Sequence, residues 1–358
     1  MRMCAVAGVT CVAVALPTVA EAKTKSVAMG VPTRKDANRF HKAGTDVNDF
    51  FPHGVTIHVG DKVRFIPAGF HTVDLPKKNG RVNPFIAPSG KTVTGVNDAA
   101  GQPFWFNGSP ELTFNPVLLK SGFGKHFTYN GRKSVLSGAP VSGQPKPFTI
   151  KFTKAGSYTY FCNIHPGMKG KVRVRPASKK IPSAAADRRA LRNQVSRDLK
   201  IAKSLALTKV PANTVDVGSA GPHGVEFYGM FPLKPLTVKV GTTVTFRMTK
   251  GSFEDHTATF AVNGGGGPGK KGSYLNQLSS SFEGPGPLDP RATYSSDGPT
   301  QATLTPTLHG NGFWNSGVME RSNASPLPSF NTVKFGQAGT YQFYCLIHPF
   351  MHGTVVVQ

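Results

Sequence analysis

The chain has 358 residues, with 42 Lys and Arg against 18 Asp and Glu and a formal charge of +24. That length suits two domains better than one core, and the charge favours acidic partners: an acidic protein, anionic lipid headgroups or cell-wall polymers. Nucleic acid is the usual partner of so basic a chain, but no recognisable nucleic-acid module is present and the opening segment reads as an export signal.

That segment, residues 1–22, has Arg2 followed by the short apolar run Cys4 to Leu16, then Pro17 and the small-x-small stretch Ala20-Glu21-Ala22. It reads as a secretory signal peptide, since the run is too short to span a bilayer. No later stretch is long and apolar enough to do so, and the mature chain is expected to be soluble and exported, periplasmic or at the cell surface. Cys4 and Cys11 leave with the signal. Cys162 and Cys345 remain, and an exported chain could join them in one disulfide. Each, however, has its own His and Met close by in sequence, which favours two separate sites.

In chain order, short alternating runs rich in β-branched and aromatic residues read as strands at Thr56 to Val59, Val63 to Ile66, Tyr158 to Cys162 and Val172 to Val174. They form a first domain over 23–175. From Pro176 to about Ala212 the character changes. Ser183 can cap a helix, Leu191, Val195, Leu199, Ala202 and Leu205 recur at helical spacing, and nine Lys or Arg stand against Asp187 and Asp198. Residues 176–212 are therefore a basic helical linker. Strands resume at Thr237 to Val240, Val244 to Met248, Tyr341 to Cys345 and Thr354 to Val357, in a second domain over 213–358. The expected architecture is all-β, two antiparallel sandwiches in tandem. The Gly- and Pro-rich stretches around 74–147 and 259–329 are insertions that the pattern does not shape.

Self-comparison sharpens this organisation. Gly156 to Gly170 matches Gly339 to Gly353 at an offset of 183, so that Cys162, His165 and Met168 answer to Cys345, His348 and Met351. Val59 to Phe65 answers to Val240 to Phe246 at 181, and His71-Thr72 to His256-Thr257 at 185. In each half, Cys-x-x-His-x-x-Met closes a tight loop at a strand end, and the earlier His supplies a fourth ligand. A thiolate, two imidazoles and a thioether are the donors of a type 1 copper centre, with Met as the weak axial ligand. Zinc is disfavoured because structural zinc sites rarely use Met and neither half offers a second Cys.

With the Gly-x-Tyr-x-Tyr/Phe-x-Cys strand and the Gly-x-Val-x-Val closing strand, the sequence resembles the cupredoxins, the plastocyanin, azurin and amicyanin family of blue copper proteins. Cys345-Leu-Ile-His348-Pro-Phe-Met351 is especially similar to the short amicyanin loop. The resemblance implies Greek-key sandwiches and two Cu(I)/Cu(II) sites, His71, Cys162, His165, Met168 and His256, Cys345, His348, Met351. It also implies that His165 and His348 reach the surface through an apolar patch to meet a redox partner protein. One departure stands out: the family's Asn after the first His is here Thr72 or Thr257. Asn163 can compensate in the first half, Leu346 cannot in the second, and the two sites are expected to differ.

One-electron transfer outside the cytoplasm is the leading function, with acidic redox proteins as partners and a peripheral contact with membrane surface or cell wall as a further expectation from the charge. Copper storage or delivery is the alternative. A reductase or oxidase is disfavoured because no His-x-His pair exists for an oxygen site. His126 and His309, again 183 apart, raise the question of a second metal site.

Overall fold

The computed structural model describes residues 22–141, 143–261, 266–298, 301–321 and 327–358. The signal peptide read at 1–22 lies, but for its last residue, outside them. Alternation forms the strands as expected. In Lys169–Arg175, Gly170, Val172 and Val174 face inward while Lys169, Lys171, Arg173 and Arg175 face out, because successive side chains of a strand point to opposite faces.

In the first sandwich one sheet runs Phe50–Phe51, Thr24–Met29, Lys62–Pro67, Phe148–Phe152, His126–Tyr129. The facing sheet runs Val135–Leu136, Asp74–Leu75, Gly156–Phe161, Lys169–Arg175, Gly54–His58. The second sandwich repeats both orders. Val225–Phe231, Thr214–Ala220, Thr243–Arg247, Phe330–Phe335 and Ala302–Leu304 form one sheet, and Leu236–Val238, His352–Val357, Gly339–Tyr344, Thr259–Phe260 and Trp314–Asn315 the other. These all-β sandwiches are cupredoxin-like, yet not purely antiparallel as expected. Each contains three parallel pairs: Thr24–Met29 with Lys62–Pro67, Gly54–His58 with Lys169–Arg175, and His126–Tyr129 with Phe148–Phe152 in the first. Their counterparts pair alike in the second. Parallel neighbours need long crossovers rather than hairpins, and here the crossovers pass through the opposite sheet.

The helix of the middle segment is Ala184–Leu205, and the Ser183 side chain accepts the Ala186 amide at its start. Its stripe of Val195, Leu199, Ala202 and Leu205 is buried in a core shared with Ala28, Val31, Phe40, Phe51 and Val225, residues of both halves. Gln194 reaches from the helix to Asp49 and to the Phe50 carbonyl. The helix is thus a wedge gripped by both sandwiches. The chain of the first half also crosses over: Thr45–Val47 pairs antiparallel with Val225 to Phe227 as the edge of the second sandwich.

The two insertions fold against each other. Val93, Phe104 and Phe106 from the first share a core with Leu275, Leu278, Ala292 and Phe313 from the second, closed by Leu346 beside Cys345. Trp105 Nε1 donates to the Ser295 carbonyl at 2.9 Å and Tyr294 to the Pro110 carbonyl at 2.6 Å. His309 lies between Asp98 of the first insertion, 3.2 Å from Nδ1, and Asp297 of the second, 3.4 Å from Nε2. His126 instead opens an exposed edge strand, so the offset of 183 does not place these two histidines in equivalent surroundings. Loop insertions shift the register of equivalence in this part of the chain.

Burial opposes a charge on His309, but hydrogen bonds and charge from Asp297, and then Asp98, outweigh it and raise its pKa above 6.5. A raised folded value means that the clamp's stabilisation is complete below the unfolded value and is lost as pH rises through the folded one. The substitution His309→Gln should therefore cost about 1 kcal/mol near pH 6, in the range of a partly exposed ion pair. The gap to wild type should narrow toward alkaline pH in thermal unfolding curves; a gap that is independent of pH contradicts the clamp.

Candidate metal centres

Both ligand loops are closed by the backbone. The Cys162 amide donates to the Met168 carbonyl at 3.0 Å and the Met168 amide to the His165 carbonyl at 3.0 Å. The second loop repeats this with Cys345, Met351 and His348 at 3.0 and 2.8 Å. Met168 and Met351 are thereby turned inward and buried beside their cysteines in the two main cores. The earlier histidines come from the segments after Lys62–Pro67 and Thr243–Arg247, across the sandwich from the cysteine strands.

Ligand atoms converge in each half. His71, Cys162 and His165 offer atoms that all lie within 4.8 Å of one another, as do His256, Cys345 and His348. In the first cluster the two Nδ1 atoms are 2.9 Å apart and His165 Nδ1 is 3.5 Å from Cys162 Sγ. In the second the Nδ1 atoms are 3.1 Å apart, and each is 3.7 Å from Cys345 Sγ. Both cysteines are buried and unbridged, so the disulfide alternative is not formed. Burial alone would raise the Cys162 thiol, but His165 and then His71 overturn that and hold it well below its usual value. His256 and His348 do the same for Cys345. The amides of Thr72 and Thr257 point at the sulfurs from 3.5 and 3.4 Å. Each centre is thus a thiolate and two imidazole nitrogens, largely buried, with a thioether folded in beside them, a soft donor set suited to copper.

Residues 40–175 match the family described as copper binding proteins, plastocyanin/azurin family. The match lies within the first half of the chain and includes His71, Cys162, His165 and Met168. A search of curated proteins found no match. Among solved structures the chain is similar to a reduced Cu(I) form of a proline-to-glycine variant of amicyanin, at 16% identity over 43% of this chain and 83% of that one, with a TM-score of 0.21. A methionine-to-alanine variant of amicyanin, also Cu(I), is 19% identical over 43% of this chain and 89% of that one, with a TM-score of 0.22.

The surroundings of the two centres differ, and through more than the Asn163/Leu346 exchange. Thr72 donates to Asn163 Oδ1 at 2.7 Å and accepts the Asn163 amide at 2.7 Å, while Asn163 Nδ2 reaches Asp74 and the Asn83 carbonyl. Asn163 therefore ties the loops as anticipated. In the second half the Leu346 amide donates to Thr257 at 2.8 Å, and the Thr257 and Thr259 hydroxyls, 3.0 Å apart, lead to Asn315 Oδ1. The tie missing from Leu346 comes from Asn315, a residue of the insertion with no counterpart in the motif.

The ligand histidines His165 and His348 line one open cavity together with Phe70, Ile164, Ile347 and Phe350, but are themselves largely covered. His165 is 6% exposed and the His348 side chain 17%, because the second sandwich packs its segment 252–255 onto the first ligand loop. Glu254 lies between them: its Oε1 is 3.1 Å from His165 Nε2 and its Oε2 is 3.6 Å from His348 Nε2. Asn48 Nδ2 and the Tyr228 hydroxyl donate to the same Oε1 at 2.8 and 2.6 Å. Burial would raise the pKa of Glu254, but the facing histidines, His165 first, hold it well below the ordinary range. None of Asn48, Tyr228 or Glu254 belongs to the repeated motif. Their one sequence signal is that a buried acid stands two residues before His256 where Gly69 stands before His71.

Gly167 shows how the packing is accommodated. At φ +113° it is in a conformation that side chains avoid, and a Cβ there would lie 2.5 Å from the Phe253 ring. The equivalent residue of the second loop is Phe350, 68% exposed. The loop length alone tolerates a Phe; the docked Phe253 does not. Gly167→Phe should therefore destabilise the protein by about 1–3 kcal/mol through strain and displacement of Phe253, whereas Phe350→Gly should cost far less. Equal losses in thermal unfolding would show that the docking is not what fixes Gly167.

Proposed function

We propose that this chain is a cupredoxin, an exported electron carrier with two type 1 copper centres, His71, Cys162, His165, Met168 and His256, Cys345, His348, Met351, and that it transforms no substrate itself. The observation that carries the reading is the duplication of a buried thiolate facing two Nδ1 atoms, with a Met returned to it by the loop. Bound copper supplies one-electron chemistry at such a donor set. The residues supply rigidity. Pro166 and Pro349 fix the backbone angle in each loop, the two backbone hydrogen bonds close it, and the Thr72 and Thr257 amides stabilise the thiolate charge. A pocket held this way changes little between oxidation states, as a carrier requires.

The absence of any His-x-His pair from the sequence supports a carrier over an oxygen-reducing enzyme. Two buried four-donor sites favour retention of copper over storage for release. No helix among the described residues is long and apolar enough to cross a membrane. A charge of +24 fits acidic redox partners and peripheral contact with an anionic membrane surface or cell wall.

Purified protein should bind two copper ions per chain with intense blue absorption, and Cys162→Ser or Cys345→Ser should each remove half of both; a colourless metalloprotein contradicts the reading. A redox titration should resolve two potentials. The Glu254 carboxylate is closer to His165 than to His348 and favours the more positively charged oxidised state there, so the first centre should have the lower potential. A single shared potential is the contrary result.

A further inference from the structure

We infer that the two centres exchange electrons inside the molecule across the side chain of Glu254, which acts as the positioning residue of an internal relay between His165 and His348. This inference rests on the two-copper reading above.

The chemistry of the bridge follows from which nitrogen each ring commits. His165 and His348 turn Nδ1 toward their cysteines. A neutral imidazole that ligates through Nδ1 keeps its one proton on Nε2. Both Nε2 atoms are therefore donors, and both face Glu254. Two donors meeting head-on need two acceptor atoms between them, which a carboxylate provides and an amide does not. The other neighbours agree: Asn48 Nδ2 and the Tyr228 hydroxyl donate to Oε1. Three donors hold Glu254 Oε1, namely His165, Asn48 of the first-half chain and Tyr228 of Val225–Phe231, while His348 Nε2 faces Oε2 at 3.6 Å. Its own backbone amide donates to Ser252 Oγ at 3.2 Å, and the Ser252 hydroxyl and the Phe253 amide both donate to Glu226.

The path from one centre to the other is thus the His165 ring, a 3.1 Å polar contact, one carboxylate, a 3.6 Å ion-pair gap and the His348 ring. Tunnelling falls off steeply with distance and more steeply across gaps than along bonded atoms, so a bridge of this kind favours exchange between the centres. In the step one centre is oxidised from Cu(I) to Cu(II) while the other is reduced from Cu(II) to Cu(I). No bond is made or broken, and the Nε2 protons stay on their rings. The bridge is single because the repeat is broken at this point. The counterpart of Glu254 is Gly69, whose φ is +122° and where a Cβ would lie 2.9 Å from His71 Nε2.

The test is one-electron pulse reduction of the fully oxidised, full-chain holoprotein, followed by absorption and freeze-quenched electron paramagnetic resonance. Wild type should show a first-order relaxation between centres whose rate is independent of protein concentration. Glu254→Leu that still holds two blue coppers should slow this step at least about tenfold, the scale of loss when a positioning group is removed, and Glu254→Gln should fall between. If Glu254→Leu fails to load, Asn48→Ala and Tyr228→Phe, which loosen the carboxylate without deleting it, should slow the step by smaller factors. In the diamagnetic Cu(I) protein, slowly exchanging Nε2 protons of His165 and His348 should be visible by nuclear magnetic resonance and lost in Glu254→Leu. Equal rates in wild type and every copper-loaded variant, or relaxation that scales with protein concentration, overturn the relay. Absence of two blue coppers from wild type would instead overturn the reading beneath it.

Discussion

Everything in the arrangement of the two sandwiches converges on one buried carboxylate held between two imidazoles. An ionised Glu out of contact with water is costly unless every oxygen is matched by a donor. Glu254 meets that condition only when both ligand loops are in place, because His165 comes from one and His348 from the other. The helix Ala184–Leu205, the strand Thr45–Val47 lent to the second sandwich and the interlocked insertions all tie the halves together around this point. Three separate fastenings for one interface are more than two independent domains on a tether would need. They make sense if the spacing of the two centres matters to what the molecule does.

The duplication explains the centres, and the breaks in the duplication explain their relation. Gly167 against Phe350 leaves room for Phe253; Gly69 against Glu254 puts one acid where two would collide; Asn163 against Leu346 shifts a structural tie from the loop to Asn315. Each exchange lies on the face where the halves meet.

The centres were legible in the sequence because ligands are set by chemistry at short spacing: Cys162, His165 and Met168 lie within seven residues, and the same set recurs at a constant offset. The strands around them were legible through alternation, and the helix through its stripe and its Ser183 cap. What could not be read was pairing between distant segments. Parallel edges depend on where a crossover returns. Asn315 and Tyr228 reach the sites from stretches with no periodic signal, and the hydrophobic residues of the insertions bury against each other rather than against the sandwich that carries them. The resemblance to single-domain carriers said nothing of Glu254 and Phe253 packed beside His165 and His348, because a family motif describes a domain and not what is packed on it.

The most direct test of the account is anomalous diffraction at the copper edge from crystals of the copper-loaded chain. Two peaks are expected, one among His71, Cys162, His165 and Met168 and one among His256, Cys345, His348 and Met351, with the Glu254 carboxylate free of metal between the two Nε2 atoms. A peak at Glu254 itself, or a single peak in only one half, would contradict it.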